Sequence, residues 1–284
     1  MCAFLGEQMN TLELTILVEN QPAGRGLLGE HGIAFHLRAD THTLLFDTGQ
    51  GLTLTHNAKQ LGIELAALDA IVLSHGHYDH TGGLPAVLER CGAVDIYLHP
   101  DAVQPKFNRD GKDIGAPAAS LAALSKAKTL HMVDKPTAIF PGLFATGPIP
   151  RRNAFEDTGG PFYCDTHKQQ EDLLPDDQAL YAILPEGVVV ILGCCHAGVV
   201  NTLEYISELT DGLPVHAVIG GTHLLRAGEE RLAHTAGLLE TLDVQLLAPN
   251  HCTGLNAQCY LRQRFPDRFV EAPAGTRFHF GEHA

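Results

Sequence analysis

Ser74-His75-Gly76-His77-Tyr78-Asp79-His80 follows directly on the apolar run at residues 70–73. The run reads as a short strand buried on both faces. A strand end is a rigid platform from which a loop can present several side chains to one point. His75 and His77, two apart in extended backbone, point the same way. Asp79 and His80 can turn to a neighbouring point, so one loop can serve two metal ions. Gly76 leaves room for close backbone approach. Incidental histidines in a surface loop are the bland alternative, but three His and one Asp within six residues make a rare accident.

Outward from this loop the chain alternates short apolar strands with helical stretches. Strands are expected at 12–18, 33–37, 43–46, 70–73 and 95–98, and again at 128–132, 137–140, 143–146, 179–184, 188–192, 215–219, 244–247 and 276–280. Helices are expected at 54–61, with Gly62 as C-cap, and at 84–90, 199–209, 229–242 and 257–264. Residues 105–127 are mixed in character. Residues 147–177, rich in Gly, Pro, Arg and Asp, read as a long loop, and long loops in compact domains tend to be functional. The fold class is mixed α/β, with strands in two clusters, 12–98 and 128–248. The expected organisation is an N-terminal extension over 1–11 and a single domain over 12–284.

The chain has 284 residues, 45% hydrophobic and 18% charged, the composition of a globular protein able to bury a core without disulfides. Nineteen basic and 33 acidic residues give a net charge of −14. That argues against nucleic acid and anionic membranes as partners and for a small-molecule substrate. Seven cysteines with irregular spacing fit a reduced compartment. Residues 1–10 have neither a basic n-region nor a long apolar core, so a cytoplasmic location is expected. The chain has no GxSxG elbow, no P-loop and no GxGxxG after a strand. Seventeen histidines are the outlying count, and position decides their meaning.

His75 to His80 match the HxHxDH motif of the metallo-β-lactamase superfamily, and further markers follow in that family's order over about residues 12–254. Asp47, in Phe46-Asp47-Thr48-Gly49, resembles the aspartate that supports the metal loop. His196, in Gly193-Cys194-Cys195-His196, and His251, in Asn250-His251-Cys252-Thr253-Gly254, resemble the later ligands. The resemblance implies an αββα sandwich of two facing mixed sheets with outer helices. It implies His75, His77 and His196 on one ion, and Asp79, His80 and His251 on a second. Two divalent ions are therefore expected, zinc first, with manganese or iron also suited to such donors. One departure stands out. The wider family commonly carries a bridging aspartate after a later strand, and here that place reads Gly220-Gly221-Thr222-His223.

A narrower resemblance is to the dihydropteroate-synthase-like subgroup. It rests on Glu30-His31-Gly32, on the stretch from Ser74 to Gly83, on Gly147-Pro148-Ile149-Pro150-Arg151 and Asp177-Gln178-Ala179-Leu180, and on Gly220-Gly221-Thr222-His223-Leu224 and His251-Cys252-Thr253-Gly254. The subgroup takes its name from an archaeal enzyme joining a pterin-methyl diphosphate to a ribofuranosylaminobenzene phosphate.

The leading expectation is a hydrolase acting on a phosphoester or related ester, with Asp79 and His223 as catalytic candidates. The alternatives are a diphosphate-releasing transferase and a non-enzymatic metal-site sensor. Arg151 and Arg152 are read as an anion clamp, because arginine grips phosphate with parallel hydrogen bonds. Lys106 and Lys168 are weaker candidates for that role, and His31 is a candidate at the rim. Asp47 is expected to orient a ligand histidine. Packing is the favoured role for Cys194 and Cys252, with Cys195 open. Loop packing is favoured over a substrate wall for Phe155, Phe162 and Tyr163. A homodimer is the one macromolecular partner considered.

Overall fold

A computed structural model describes residues 8–281. Along the chain run β1 (Thr11–Val18), β2 (Ala34–Ala39), β3 (His42–Phe46), α1 (Leu54–Leu61), β4 (Ala70–Val72), α2 (Tyr78–Thr81), α3 (Leu84–Cys91) and β5 (Asp95–Leu98). Then come β6 (Phe107–Asn108), α4 (Ala118–Ala123), β7 (Thr129–Met132), β8 (Thr137–Phe140), β9 (Leu143–Ala145), β10 (Phe162–Tyr163), β11 (Ala179–Leu184) and β12 (Gly187–Leu192). The chain closes with α5 (Val199–Leu209), β13 (Val215–Gly221), α6 (Glu229–Thr241), β14 (Leu246–Asn250), α7 (Leu255–Arg264) and β15 (Arg277–Gly281). The strands and helices expected from the sequence are present, with ends shifted by a few residues. Gly62 ends α1 in the left-handed region, as a C-cap should.

The strands form two large sheets, ordered β15-β1-β2-β3-β4-β5-β7 and β14-β13-β12-β11-β9-β8. The sequence clusters do not coincide with these sheets. β7 pairs parallel with β5, and β15 returns antiparallel to β1, so both join the first sheet.

Side-chain alternation along the strands builds the layers. On β12, Val189 and Ile191 face the other sheet, beside Leu14, Phe35, Leu44, Phe46 and Val72. Val188, Val190 and Leu192 face the other way, against Leu203, Ile206, Leu239 and Leu261 of the helices. On β4, Ala70 and Val72 point between the sheets, while Ile71 packs outward with Leu54, Leu84 and Val87. The result is helix, sheet, sheet, helix, as the resemblance implied.

Met9 is 1% exposed, and its N–H donates to the Ile183 carbonyl at 3.0 Å. Asn10 and Thr11 N–H groups donate to Asp40 Oδ1. Residues 9–11 therefore belong to the domain rather than to an extension over 1–11. Residues 1–7 and 282–284, with His283 among them, lie outside the described residues. Among the described residues no helix is long and apolar enough to cross a membrane.

Candidate metal centre

β4 delivers the metal loop. Ser74, just past it, donates from its N–H to Asp47 Oδ1 at 2.7 Å and from its hydroxyl to Asp47 Oδ2 at 2.6 Å. Asp47 stands at the end of β3, its own N–H on the Val72 carbonyl at 2.9 Å. From below, Asp176 Oδ2 accepts the Gly76 N–H at 2.8 Å, and buried Lys106 binds Asp176 and Asp172 at 2.9 and 3.1 Å. The Gly76 backbone lies so close to the Ala102 carbonyl that a Cβ would collide with it. Asp79 opens α2 without capping it, which leaves its carboxylate for the centre.

The hydrogen bonds fix the tautomers of four rings. The Ser74 hydroxyl spends its proton on Asp47, so it accepts from His75 Nδ1 at 2.9 Å. His80 Nδ1 donates to Asp47 Oδ2 at 2.6 Å. His196 Nδ1 donates to the Thr158 carbonyl at 2.7 Å, and His251 Nδ1 to Asn20 Oδ1 at 3.1 Å. Each ring thus turns Nε2 to the centre, a lone pair on His75, His196 and His251 and on His80 once its second proton is displaced, the arrangement of metal-bound imidazoles. His75 Nε2 faces His77 Nδ1 at 2.9 Å. The buried Nε2 atoms of His196 and His251 have no hydrogen-bond partner among the described residues. Such orphaned acceptors are costly unless an ion fills the gap. Among the described residues, four groups of donors come close enough to hold a metal ion: His75 with His77 and His196, Asp79 with His251 and His31, His75 with His80 and Cys194, and Cys194 with His223 and Cys252. His80 thus groups with His75 rather than with Asp79 and His251.

Burial pushes His75, His196 and His251 below the usual histidine range, and His77 down to about 3. These rings are neutral at pH 7, the form that binds metal. Burial acts the same way on His80, yet the carboxylates of Asp47 and Asp79 outweigh it and hold the ring at about 9. That point in the site favours a positive charge, whether proton or ion. Burial would raise the Asp79 carboxyl, but His80 and His251 beside it hold it well below the usual carboxylate range. Burial, with His251 and Arg231, lowers His223 to about 4.

A cavity of about 480 Å³ opens over these donors. His31, His77, Asp79, His196, His223 and His251 line its floor, Phe162, Leu225 and Ile114 an apolar wall, and Arg109 and Arg226 its rim. The volume suits a small-molecule ligand. The His223 ring lies 4.2 Å, centroid to centroid, from that of His196.

Arg151 and Arg152 do not line this cavity. Arg151 donates to the carbonyls of His196 and Leu173, at 2.5 and 3.4 Å, and so secures the ligand loop from behind. Arg152 forms an exposed pair with Glu208 on α5. Their loop turns back onto the helix face, so the anion clamp read from the sequence is absent there. Lys106 is likewise committed to buried carboxylates, and Lys168 donates to the Arg109 carbonyl. Phe162 is a cavity wall, whereas Phe155 stacks on His234. The cysteine expectations reverse. Cys194 Sγ lies 3.1 Å from His80 Nε2, and Cys252 lines the cavity. Cys195 turns away to Thr202.

Several functional residues escaped the sequence reading. Glu19 accepts the His251 N–H at 2.8 Å, Asn20 orients the His251 ring, and Asp177 accepts the Ala197 N–H at 2.7 Å. The polar pair ending the first apolar strand was a signal for Glu19 and Asn20. Asp177 stood within a quoted motif without a role.

The metallo-β-lactamase superfamily model matches residues 34–228. A 7,8-dihydropterin-6-methyl-4-(β-D-ribofuranosyl)-aminobenzene-5'-phosphate synthase of Methanocaldococcus jannaschii is 27% identical over 271 residues, covering 88% of this chain and 90% of that protein. A second protein of that archaeon is 31% identical over 254 residues, covering 88% and 94%. A solved metal-dependent hydrolase of the β-lactamase superfamily superposes with a TM-score of 0.83 at 28% identity, over 95% of this chain and 100% of that one. The chain belongs to the metallo-β-lactamase superfamily.

Proposed function

We propose that the protein is a metal-dependent hydrolase that directs water at a phosphoester or related ester of a small anionic substrate. One observation carries the reading: His75, His80, His196 and His251 each tie Nδ1 to an oxygen and turn Nε2 inward. His75, His77 and His196 would hold one ion, and Asp79, His80 and His251 the other. Divalent ions in such a site lower the pKa of water towards neutrality and polarise the oxygen under attack. Imidazole and carboxylate donors suit zinc, and also manganese or iron. His223 lines the cavity beside His196, where its ring N–H would hydrogen-bond the leaving oxygen. Arg109 and Arg226 at the rim would take the substrate's anionic group, the task first read onto Arg151 and Arg152. Phe162, Leu225 and Ile114 would exclude water and accept an apolar or ring-bearing portion.

Likeness to the synthase favours a second reading, a transferase that releases diphosphate from a pterin-methyl diphosphate when an arylamine attacks. One experiment separates the two. Metal-loaded protein is given the pterin-methyl diphosphate with and without an arylamine acceptor, and diphosphate release is followed. Release that requires acceptor establishes the transferase and ends the hydrolase reading. Release without acceptor, or turnover only on a panel of phosphate esters and lactones, supports the hydrolase.

A further inference from the structure

Three imidazole nitrogens surround one oxygen, Asp79 Oδ2. His31 Nε2 lies at 3.2 Å, His251 Nε2 at 3.5 Å and His80 Nε2 at 3.8 Å. Donors held about 2.0–2.1 Å from a four-coordinate ion stand roughly 3.3 Å apart, so the His31 and His251 separations match edges of such a shell. The ligand atoms of His31, Asp79 and His251 all lie within 4.8 Å of one another, with His80 farther out at 3.8 Å from Asp79. Three members are the expected second set. His31 is the added one.

The shell needs it. Asp79, His80 and His251 supply three donors, one short of a closed four-coordinate site. The carboxylate common after the later strand is missing, and β13 ends in glycine. A Cβ on Gly221 would stand 2.7 Å from Cys252 Sγ, so no side chain fits there.

The backbone at His31 is fitted to Asp79. Gly32, at φ 151°, lies so close that a Cβ would stand 2.6 Å from the Asp79 carbonyl oxygen. The Ile33 N–H donates to that same carbonyl at 3.4 Å. Gln50 Nε2 donates to the His31 carbonyl. Gly32 N–H reaches Asn20 Oδ1, the acceptor that also orients His251. The His31 ring sits 5.1 Å, centroid to centroid, from the His251 ring. Its side chain is 56% exposed, against 7% for Asp79 and 0% for His80 and His251, so it closes the shell from the solvent side.

We propose that His31, through Nε2, is the fourth protein donor of the second metal position, in place of the absent bridging carboxylate. The proposal rests on the two-ion reading above. Each ion then has its own protein donors, and the second ion is held partly by an exposed loop.

The test uses the full chain with zinc alone, counting bound ions by elemental analysis and measuring affinity by chelator competition. Wild type is expected to bind two ions. His31→Ala and His31→Gln are expected to keep the first ion and weaken the second by at least about tenfold, the least that a lost metal-orienting partner costs. His31→Gln keeps an N–H that can hydrogen-bond Asp79 but loses the imidazole, so it separates a ligand from a hydrogen-bond partner. Unchanged second-ion affinity in both variants, or in His31→Gln alone, overturns the proposal. Wild type binding fewer than two ions overturns the two-ion reading itself. Because His31 is exposed, both variants should keep the wild-type circular dichroism and melting temperature after chelation.

Discussion

Asp47 carries more of the centre than any other residue that does not face it. Its two oxygens accept from the Ser74 N–H, the Ser74 hydroxyl and His80 Nδ1. It does so in the left-handed region, at φ 60°, as do Cys195, His223 and His251 at 60°, 48° and 48°. Non-glycine residues in that region cost energy, and they cluster where function over-determines the backbone. In Asp47→Asn an amide NH₂ replaces one acceptor, so either Ser74 or His80 loses its match. Metal binding should weaken about 10–100-fold, read by chelator competition, with circular dichroism unchanged. Undiminished affinity would refute the orienting role. Asp47 was legible because it ends an apolar strand beside glycine. Asn20 carried the same strand-end signal, but its role was hidden because its partner His251 lies 231 positions away.

At the scale of elements, the long loop proves to be a brace. Asp172, Asp176 and Asp177 all come from its end, and each fixes the backbone or the buried lysine beneath the centre. Lys106→Met leaves two carboxylates buried without their cation. A loss of about 3–5 kcal/mol is expected in urea unfolding. A loss below about 1 kcal/mol would mean that water reaches the pair. Burial raises the Asp177 carboxyl to about 6, above its ordinary 3.8. A raised carboxyl adds stability that is complete below pH 4 and is lost as the pH rises through 6. The stability of wild type relative to Asp177→Asn should therefore grow by up to about 3 kcal/mol between pH 7.5 and pH 4. Paired denaturation curves across that range check it, and a constant difference would contradict the shift. Residues 105–127 and 147–177 were opaque in sequence because their order comes from buried ion pairs, which leave no periodicity.

For the whole molecule, the two sheets contribute opposite halves of the centre. His75, His77, Asp79 and His80 follow β4 in the first sheet, and His196 and His251 follow β12 and β14 in the second. An ion held between them ties the sandwich together at one edge. Ions that prefer the folded chain would stabilise it by mass action, by up to about 2.7 kcal/mol per site at a hundredfold excess over the dissociation constant. For a chain of this size the melting temperature should fall by roughly 5–10 °C for each site emptied by chelation and return with zinc. No shift would mean that no ion binds the folded chain in preference to the unfolded one.

Local pattern determined most of the fold. Strands, helices and their caps followed from apolar runs and turn residues, because those preferences act between near neighbours. The contiguous ligands His75 to His80 were legible for the same reason. Only the tertiary structure decided which sheet takes β7 and β15, since pairing partners are set by crossovers rather than by a strand's own residues. It alone showed that Arg151 and Arg152 point away from the cavity while Arg109 and Arg226 rim it. It alone brought Asn20 and Thr158 to the histidine rings, Glu19 to the His251 backbone N–H and His31 to Asp79. These contacts close loops of 38 to 232 positions, and their energies depend on distances that no stretch of sequence encodes.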